Sequence, residues 1–287
     1  MSRTLPSVAR MVLILVSVAL AAASCSSDGG DGDRLRVVAS FYPLAYAARE
    51  VGGRGVDVEN LSPPGIEPHD LEVSPRDVAR IRAADVVLLM GGRFQAGVED
   101  AAGTGERVLR LLETPGLDPL PNGDPHVWLD PVRFALVGRR IARALARPSR
   151  GRALARRLRR LDGEYRRGLA DCSRRVVVTS HEAFAYLADR YGLREIPITG
   201  RNPEAEPSPR ALERVVDLVR ETGATTVYLE PLARRRVVET VARETGARVA
   251  TLNPIEGLTR EEDARGEDYF SLMRLNLAAL RRGLGCR

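Results

Sequence analysis

PVRFALVGRRIARALARPSRGRALARRLRRLDGEYRRGLA, residues 131–170, offers no β-branched run that reads as a strand, and its apolar residues recur with a helical period. Phe134, Val137, Ile141 and Leu145 form one stripe; beyond Pro148, Leu154, Leu158, Leu161, Tyr165 and Leu169 form a second. The sequence on either side reads differently. Short β-branched apolar runs from Leu35 to Ala39, Val56 to Leu61 and Asp85 to Met90 precede the stretch, and runs from Val176 to Thr179, Thr225 to Leu229 and Arg248 to Leu252 follow it. Between them, Ser74-Pro75 and Ser208-Pro209 each place a hydroxyl cap and a proline at the start of a helix. Strand and helix alternate twice, with a helical interval between. The fold class is therefore α/β: two similar lobes of parallel sheet flanked by helices, residues 34–130 and 171–287, joined by a long helical element over 131–170. In such a design a ligand sits between the lobes, in loops beyond the carboxyl ends of strands.

The amino terminus indicates export. Arg3 and Arg10 precede an apolar run from Met11 to Ala23, too short to span a bilayer but suited to a secretory signal over residues 1–24. The run ends Ala22-Ala23-Ser24-Cys25, similar to a bacterial lipobox, which would make Cys25 the lipidated first residue; Ala22 stands where leucine is usual. An ordinary signal peptide with Cys25 incidental is the alternative. Residues 25–33, free of apolar side chains after the cysteine and rich in Gly, Ser and Asp, read as a flexible tether. The expected location is extracytoplasmic, lipid-anchored at the periplasmic face or outer surface of a bacterial plasma membrane. In an exported chain, the two other cysteines, Cys172 and Cys286, are expected to pair, with metal ligation disfavoured by the lack of a Cys-x-x-Cys.

The formal charge is +6, and loss of the leader with Arg3 and Arg10 lowers it to +4. All the basic side chains are arginine, densest from Arg139 to Arg175, with only Tyr165 as an aromatic among them. Nucleic-acid binding calls for interleaved aromatics or a recognisable module, so no nucleic-acid partner is expected. A solvated helix face is the simpler account, with attraction to anionic lipid left open.

Three histidines are the whole imidazole content. They occur in Glu67-Pro68-His69-Asp70, Asp124-Pro125-His126-Val127 and Ser180-His181-Glu182, each beside a carboxylate. Spacings of 57 and 55 residues exclude a shared helical turn, so only tertiary structure can bring them together. Singly each is as readily structural; jointly they suggest a metal site.

Those segments carry a family resemblance, as do Tyr228-Leu229-Glu230-Pro231-Leu232, Leu252-Asn253-Pro254-Ile255-Glu256-Gly257-Leu258 and Gly266-Glu267-Asp268-Tyr269-Phe270-Ser271. From about Leu35 onward the chain resembles the zinc and manganese solute-binding lipoproteins of ABC transporters, the ZnuA-like group. The resemblance implies two lobes bridged by a long, rigid backbone helix, a monomer that delivers metal to an ABC permease, and His69, His126 and His181 as ligands. Manganese-selective members differ at His181 and at Asn253, where they carry carboxylates. Glu256 resembles the glutamate of some zinc-binding members and is expected as the fourth ligand, with Glu67 or a water as the alternatives. Three imidazoles and a carboxylate favour Zn2+ as the transported ligand over Mn2+, which prefers oxygen. A manganese or mixed receptor, a surface adhesin and a zinc hydrolase are the other functions to weigh. Against the last, Ala185 stands where a His-Glu-x-x-His motif requires its second histidine, and no enzyme is expected. Glu67, Asp70, Asp124 and Glu182 are the acids placed to orient imidazoles, and Trp128 and Phe184 are expected in the core.

Overall fold

The computed structural model describes residues 34–120, 123–203 and 205–287. The signal segment 1–24, Cys25 and the tether to residue 33 lie outside the described residues.

The first sheet is built from β1 (Leu35–Ala39), α1 (Tyr42–Gly52), β2 (Val56–Asn60), α2 (Pro75–Ala83), β3 (Val86–Leu89), α3 (Ala96–Ala102) and β4 (Val108–Arg110). Then come α4 (Pro131–Ala144) and α5 (Pro148–Gly168). The second sheet follows through β5 (Val176–Thr179), α6 (Ala185–Tyr191), β6 (Arg194–Pro197), α7 (Pro209–Thr222), β7 (Thr226–Leu229), α8 (Arg235–Thr245) and β8 (Arg248–Thr251), with α9 (Arg260–Ala264) and α10 (Tyr269–Leu284) closing the chain. The strand orders are β2-β1-β3-β4 and β6-β5-β7-β8, every pairing parallel. One topology is thus used twice, as the repeated strand–helix rhythm implies.

Central strands such as β3 and β7 are buried along their whole length, which is why they read as continuous apolar runs rather than alternating ones. The outer face of the first sheet packs Val38, Val87 and Leu89 on Ile81 of α2 and Val98 of α3. The second does the same with Val178, Val227 and Leu229 against α7 and α8. The inner faces share one larger core through Trp128, Phe134, Tyr165 and Tyr269, which unites residues 35–287 into a compact unit.

The helical stretch 131–170 is two helices. Asp130 caps α4 by accepting from the Val132 and Arg133 N–H groups. Ala146, at φ 53°, turns the chain, and Pro148 opens the 21-residue α5, which is the long backbone helix. The two helices fold back on each other because glycines permit it: a Cβ on Gly151 would lie 2.5 Å from that of Ala142, and one on Gly138 2.9 Å from Leu154. Ser74 with Asp77 forms a capping box on α2, and Ser208 caps α7, both with proline in the first turn as the sequence predicts.

Two strands escape the sequence reading, β4 and β6. Both are edge strands. The first has only three residues and the second, Arg-Glu-Ile-Pro, ends in a proline that a sheet tolerates at an edge. A disulfide joins Cys172 to Cys286, pinning the carboxyl-terminal tail. It closes a loop of 114 residues, a constraint on the unfolded chain worth about 4 to 5 kcal/mol.

Candidate metal centre

Four loops, all beyond carboxyl ends of strands or just before α4, converge. His69 sits in a one-turn 3-10 helix, Pro68–Asp70, that follows β2; the Glu67 side chain caps it by accepting from the His69 N–H at 3.3 Å. His126 precedes the 3-10 turn Val127–Leu129 leading into α4. His181 comes two residues after Thr179 ends β5. Glu256 lies in the loop after β8.

That last loop is braced throughout. Asn253 Oδ1 accepts from the Ile255 N–H at 2.7 Å, its Nδ2 donates to Glu262 Oε1 at 2.8 Å, and Asn276 Nδ2 donates to the Asn253 carbonyl at 2.6 Å. Trp128 Nε1 donates to the Pro254 carbonyl at 2.7 Å. These bonds hold buried Ile255 at φ 59°, a conformation β-branched residues avoid, and so aim the next side chain inward. Asn253 is consumed by this bracing and is not among the converging donors. Trp128 is fully buried, as expected, and Phe184 nearly so.

The Nε2 atoms of His69, His126 and His181 lie 3.4, 2.7 and 3.3 Å from the same oxygen, Glu256 Oε1. Ring centroids stand 5.4 to 5.8 Å apart, close to an equilateral triangle of imidazoles. One donor atom from each of the four residues falls within 4.8 Å of the others, and among the described residues this is the one group of its kind. His126, His181 and Glu256 are buried, while the His69 side chain keeps 11% exposure and packs edge-on against Phe94. Glu67 is not one of the four.

The remaining ring nitrogens are fixed from behind. Asp124 Oδ1 lies 2.6 Å from His126 Nδ1 and also accepts from the His126 backbone N–H at 2.9 Å. Glu230 Oε2 lies 2.5 Å from His181 Nδ1, and Oε1 accepts from the His181 backbone N–H at 3.1 Å. Of the acids flanking the histidines, then, Asp124 orients an imidazole as expected. Asp70 is exposed, the Glu182 N–H donates to the Gly200 carbonyl, and the acid on His181 is Glu230. Glu230 directly follows β7, next to β5 where the strand order reverses, so its place at a strand end is the sequence signal that could have found it. Glu195 on β6 is a second acid not foreseen: Oε1 accepts from Thr179 Oγ1 and from the Ala183 and Phe184 N–H groups, which fixes the loop bearing His181.

The electrostatics follow from this packing. Burial alone would discharge His126, but its bonds to Asp124 and Glu256 outweigh burial and push it up to about 9. For His181, burial is likewise outweighed by Glu230 and Glu256, and the ring is pushed up to about 11. Against its burial, the surrounding imidazoles, His181 foremost, hold Glu256 well below the usual carboxylate range. Burial, reinforced by the Glu256 charge, pushes Glu67 up to about 9. The carboxylates around His126 and His181 thus favour the charged form of both rings, opposite a Glu256 that favours its ionised form.

Fold and donor set together define the class: a bilobal α/β protein with the side chains of a metal-binding protein. The chain belongs to the ZnuA family, the family model described as zinc-uptake complex component A, periplasmic, matching residues 37–283. It is 33% identical over 288 residues to the zinc-binding protein AdcA of Streptococcus pyogenes serotype M18, covering 86% of this chain and 56% of that protein, so it spans little more than half the length of that relative. To the high-affinity zinc uptake system protein ZnuA of Bacillus subtilis it is 31% identical, covering 88% of each. Among solved structures it resembles the Zn(II)-bound ZnuA-like domain of Streptococcus pneumoniae AdcA, with TM-score 0.75 and 32% identity over 88% of this chain and 99% of that one. It also resembles the laminin-binding protein Lmb of Streptococcus agalactiae, described as bifunctional with adhesin and metal transporting activity, with TM-score 0.78 and 31% identity over 88% and 100%.

Proposed function

We propose that the protein is an extracytoplasmic receptor that captures Zn2+ between its lobes, 34–130 and 171–287, and hands it to an ABC permease, working as a monomer anchored through a lipid on Cys25. The observation that carries this reading is the meeting of three Nε2 atoms with one buried carboxylate oxygen. Ligands about 2.0 to 2.1 Å from a tetrahedral zinc lie about 3.3 Å from one another, and two of the three separations, 3.4 and 3.3 Å, already match. The third, 2.7 Å, is a direct hydrogen bond that a cation would lengthen. His69, His126, His181 and Glu256 are the ligands.

The donor set separates the cations. Three nitrogens and one oxygen suit zinc, whereas manganese favours oxygen-rich shells. It also speaks against hydrolysis, since a catalytic zinc keeps an open position for water and Glu256 fills the fourth place here. The names of the relatives, zinc-binding protein and zinc uptake system protein, support the same cargo.

A competitive titration of the leader-free protein with zinc and manganese tests this. One tight zinc per chain, with manganese much weaker, is expected. His126→Ala should lower zinc affinity by orders of magnitude with the fold intact, and Glu256→Ala should cost less because water can take the fourth position. A manganese preference, or an unchanged titration for His126→Ala, would overturn the assignment.

A further inference from the structure

The arginine-rich stretch has a one-sided structure. At 100° per residue, the solvent-facing arc of α5 holds Arg152, Arg156, Arg159, Arg160, Arg166 and Arg167, with Gly163 among them, while Leu154, Leu158, Leu161 and Tyr165 face inward. No carboxylate lies on that arc. From Arg152 to Arg167 it runs about 22 Å along the helix.

The acids at its margins are already engaged. Glu50 pairs with Arg157, Asp162 with Arg166 and Arg190, and Glu164 with Arg274 through two hydrogen bonds. The side chains of Arg152, Arg156, Arg159, Arg160 and Arg167 form no ion pair or hydrogen bond among the described residues; Arg167 and Arg160 act on Glu164 only at longer range. A preference for arginine over lysine in the sequence does not account for this, because it does not remove acids. The exposed sides of α7 and α8 interleave both signs: Glu213, Arg214, Asp217 and Arg220 on one, Glu239, Arg243 and Glu244 on the other.

The chain's point of entry adds a second observation. Leu35 pairs with Val56 at the start of the first sheet, and Gly55, one residue earlier, lies against the Arg147 guanidinium at the amino end of α5. Cys25 stands nine positions before Arg34, a span of at most about 30 Å.

We propose that the arginine face of α5 docks the protein body onto the anionic headgroups of the membrane that carries its lipid anchor. This rests on the anchored-receptor reading, and it assigns α5 a role besides bridging the sheets. A lipid on Cys25 would keep this face within reach of headgroups, and several weak, salt-screened contacts would then orient the body.

Vesicle co-sedimentation of the chain from residue 25, carrying Cys25→Ser and made without its leader, tests the surface apart from the anchor. The expected result is binding to phosphatidylcholine vesicles containing about a third phosphatidylglycerol, none to phosphatidylcholine alone, and release by salt. Each arginine near the surface contributes roughly fivefold, so Arg152→Gln, Arg156→Gln and Arg160→Gln together should weaken binding roughly a hundredfold while leaving the zinc titration unchanged. Arg210→Gln, Arg214→Gln and Arg243→Gln alter net charge equally and should change it little. No binding to anionic vesicles, equal loss in both triple variants, or stronger binding to duplex DNA than to vesicles would each overturn the proposal. Fatty-acid labelling of the full chain reports on the anchor separately: absent label with vesicle binding intact refutes the anchor and leaves the docking face supported.

Discussion

Each buried imidazole at the centre is fixed by its second nitrogen, so the acids behind the histidines shape the site along with the histidines. Asp124 and Glu230 do two things: they set which nitrogen faces the cation, and they raise ring basicity, which strengthens the bond to a metal but also the competing bond to a proton. Asp124→Asn and Glu230→Gln preserve shape and remove charge. Each should weaken zinc binding about 10- to 100-fold. Each should also reduce the protons released per zinc at neutral pH, because the ring it serves would no longer hold its proton so firmly. Chelator competition and titration in buffers of different ionisation enthalpy read the two effects; an unchanged affinity in both variants would mean that packing alone orients the rings. Of these residues, the histidines were legible because their number and contexts jointly suggest a metal site and the family resemblance implies their role as ligands. Glu230 was not, since it stands 49 residues from its partner and only the adjacency of β5 and β7 joins them.

At the scale of elements, what the sequence declares is composition. β-branched residues announce the central strands and also the edge strands β2 and β8, whereas β4 has only three residues and β6 reads Arg-Glu-Ile-Pro, so pairing rather than side-chain chemistry makes those two strands. Missing β6 also hid Glu195, whose role depends on β6 lying beside β5. The helical stretch 131–170 was legible as helix but not as a hairpin, because the contact that folds α4 onto α5 is made by the absence of a side chain at Gly138 and Gly151. Gly151→Leu tests that directly. A side chain there meets Ala142 and the backbone of Arg139, and overpacking should cost about 1 to 3 kcal/mol despite the better helix propensity of leucine. Thermal unfolding should show the loss while zinc affinity stays near normal, since neither glycine touches the centre; a stability equal to the parent would mean that the hairpin opens freely.

For the molecule as a whole, stability and zinc binding are linked through the same protons, which stabilise the empty protein and compete with the metal. In the empty protein His126 and His181 hold protons up to about 9 and about 11, above the 6.5 of a free ring, and Glu67 up to about 9. The folded chain therefore binds more protons than the unfolded one across neutral and mildly alkaline pH. The stability these rings supply is complete below about 6.5 and is lost as pH rises through about 9 and then 11; Glu67 pushes the same way from about 4.5 upward. Zinc ligation requires neutral rings, so affinity should rise over that same range rather than level off just above the ordinary imidazole value. The unfolding midpoint of the empty protein is thus expected to fall from pH 7 to pH 9, and the increment that a fixed excess of zinc adds to it should grow. Scanning calorimetry with and without zinc at both pH values measures both trends. An increment that is flat above pH 7 would show that the rings are already neutral there, and that the carboxylates around them orient the imidazoles without holding them charged.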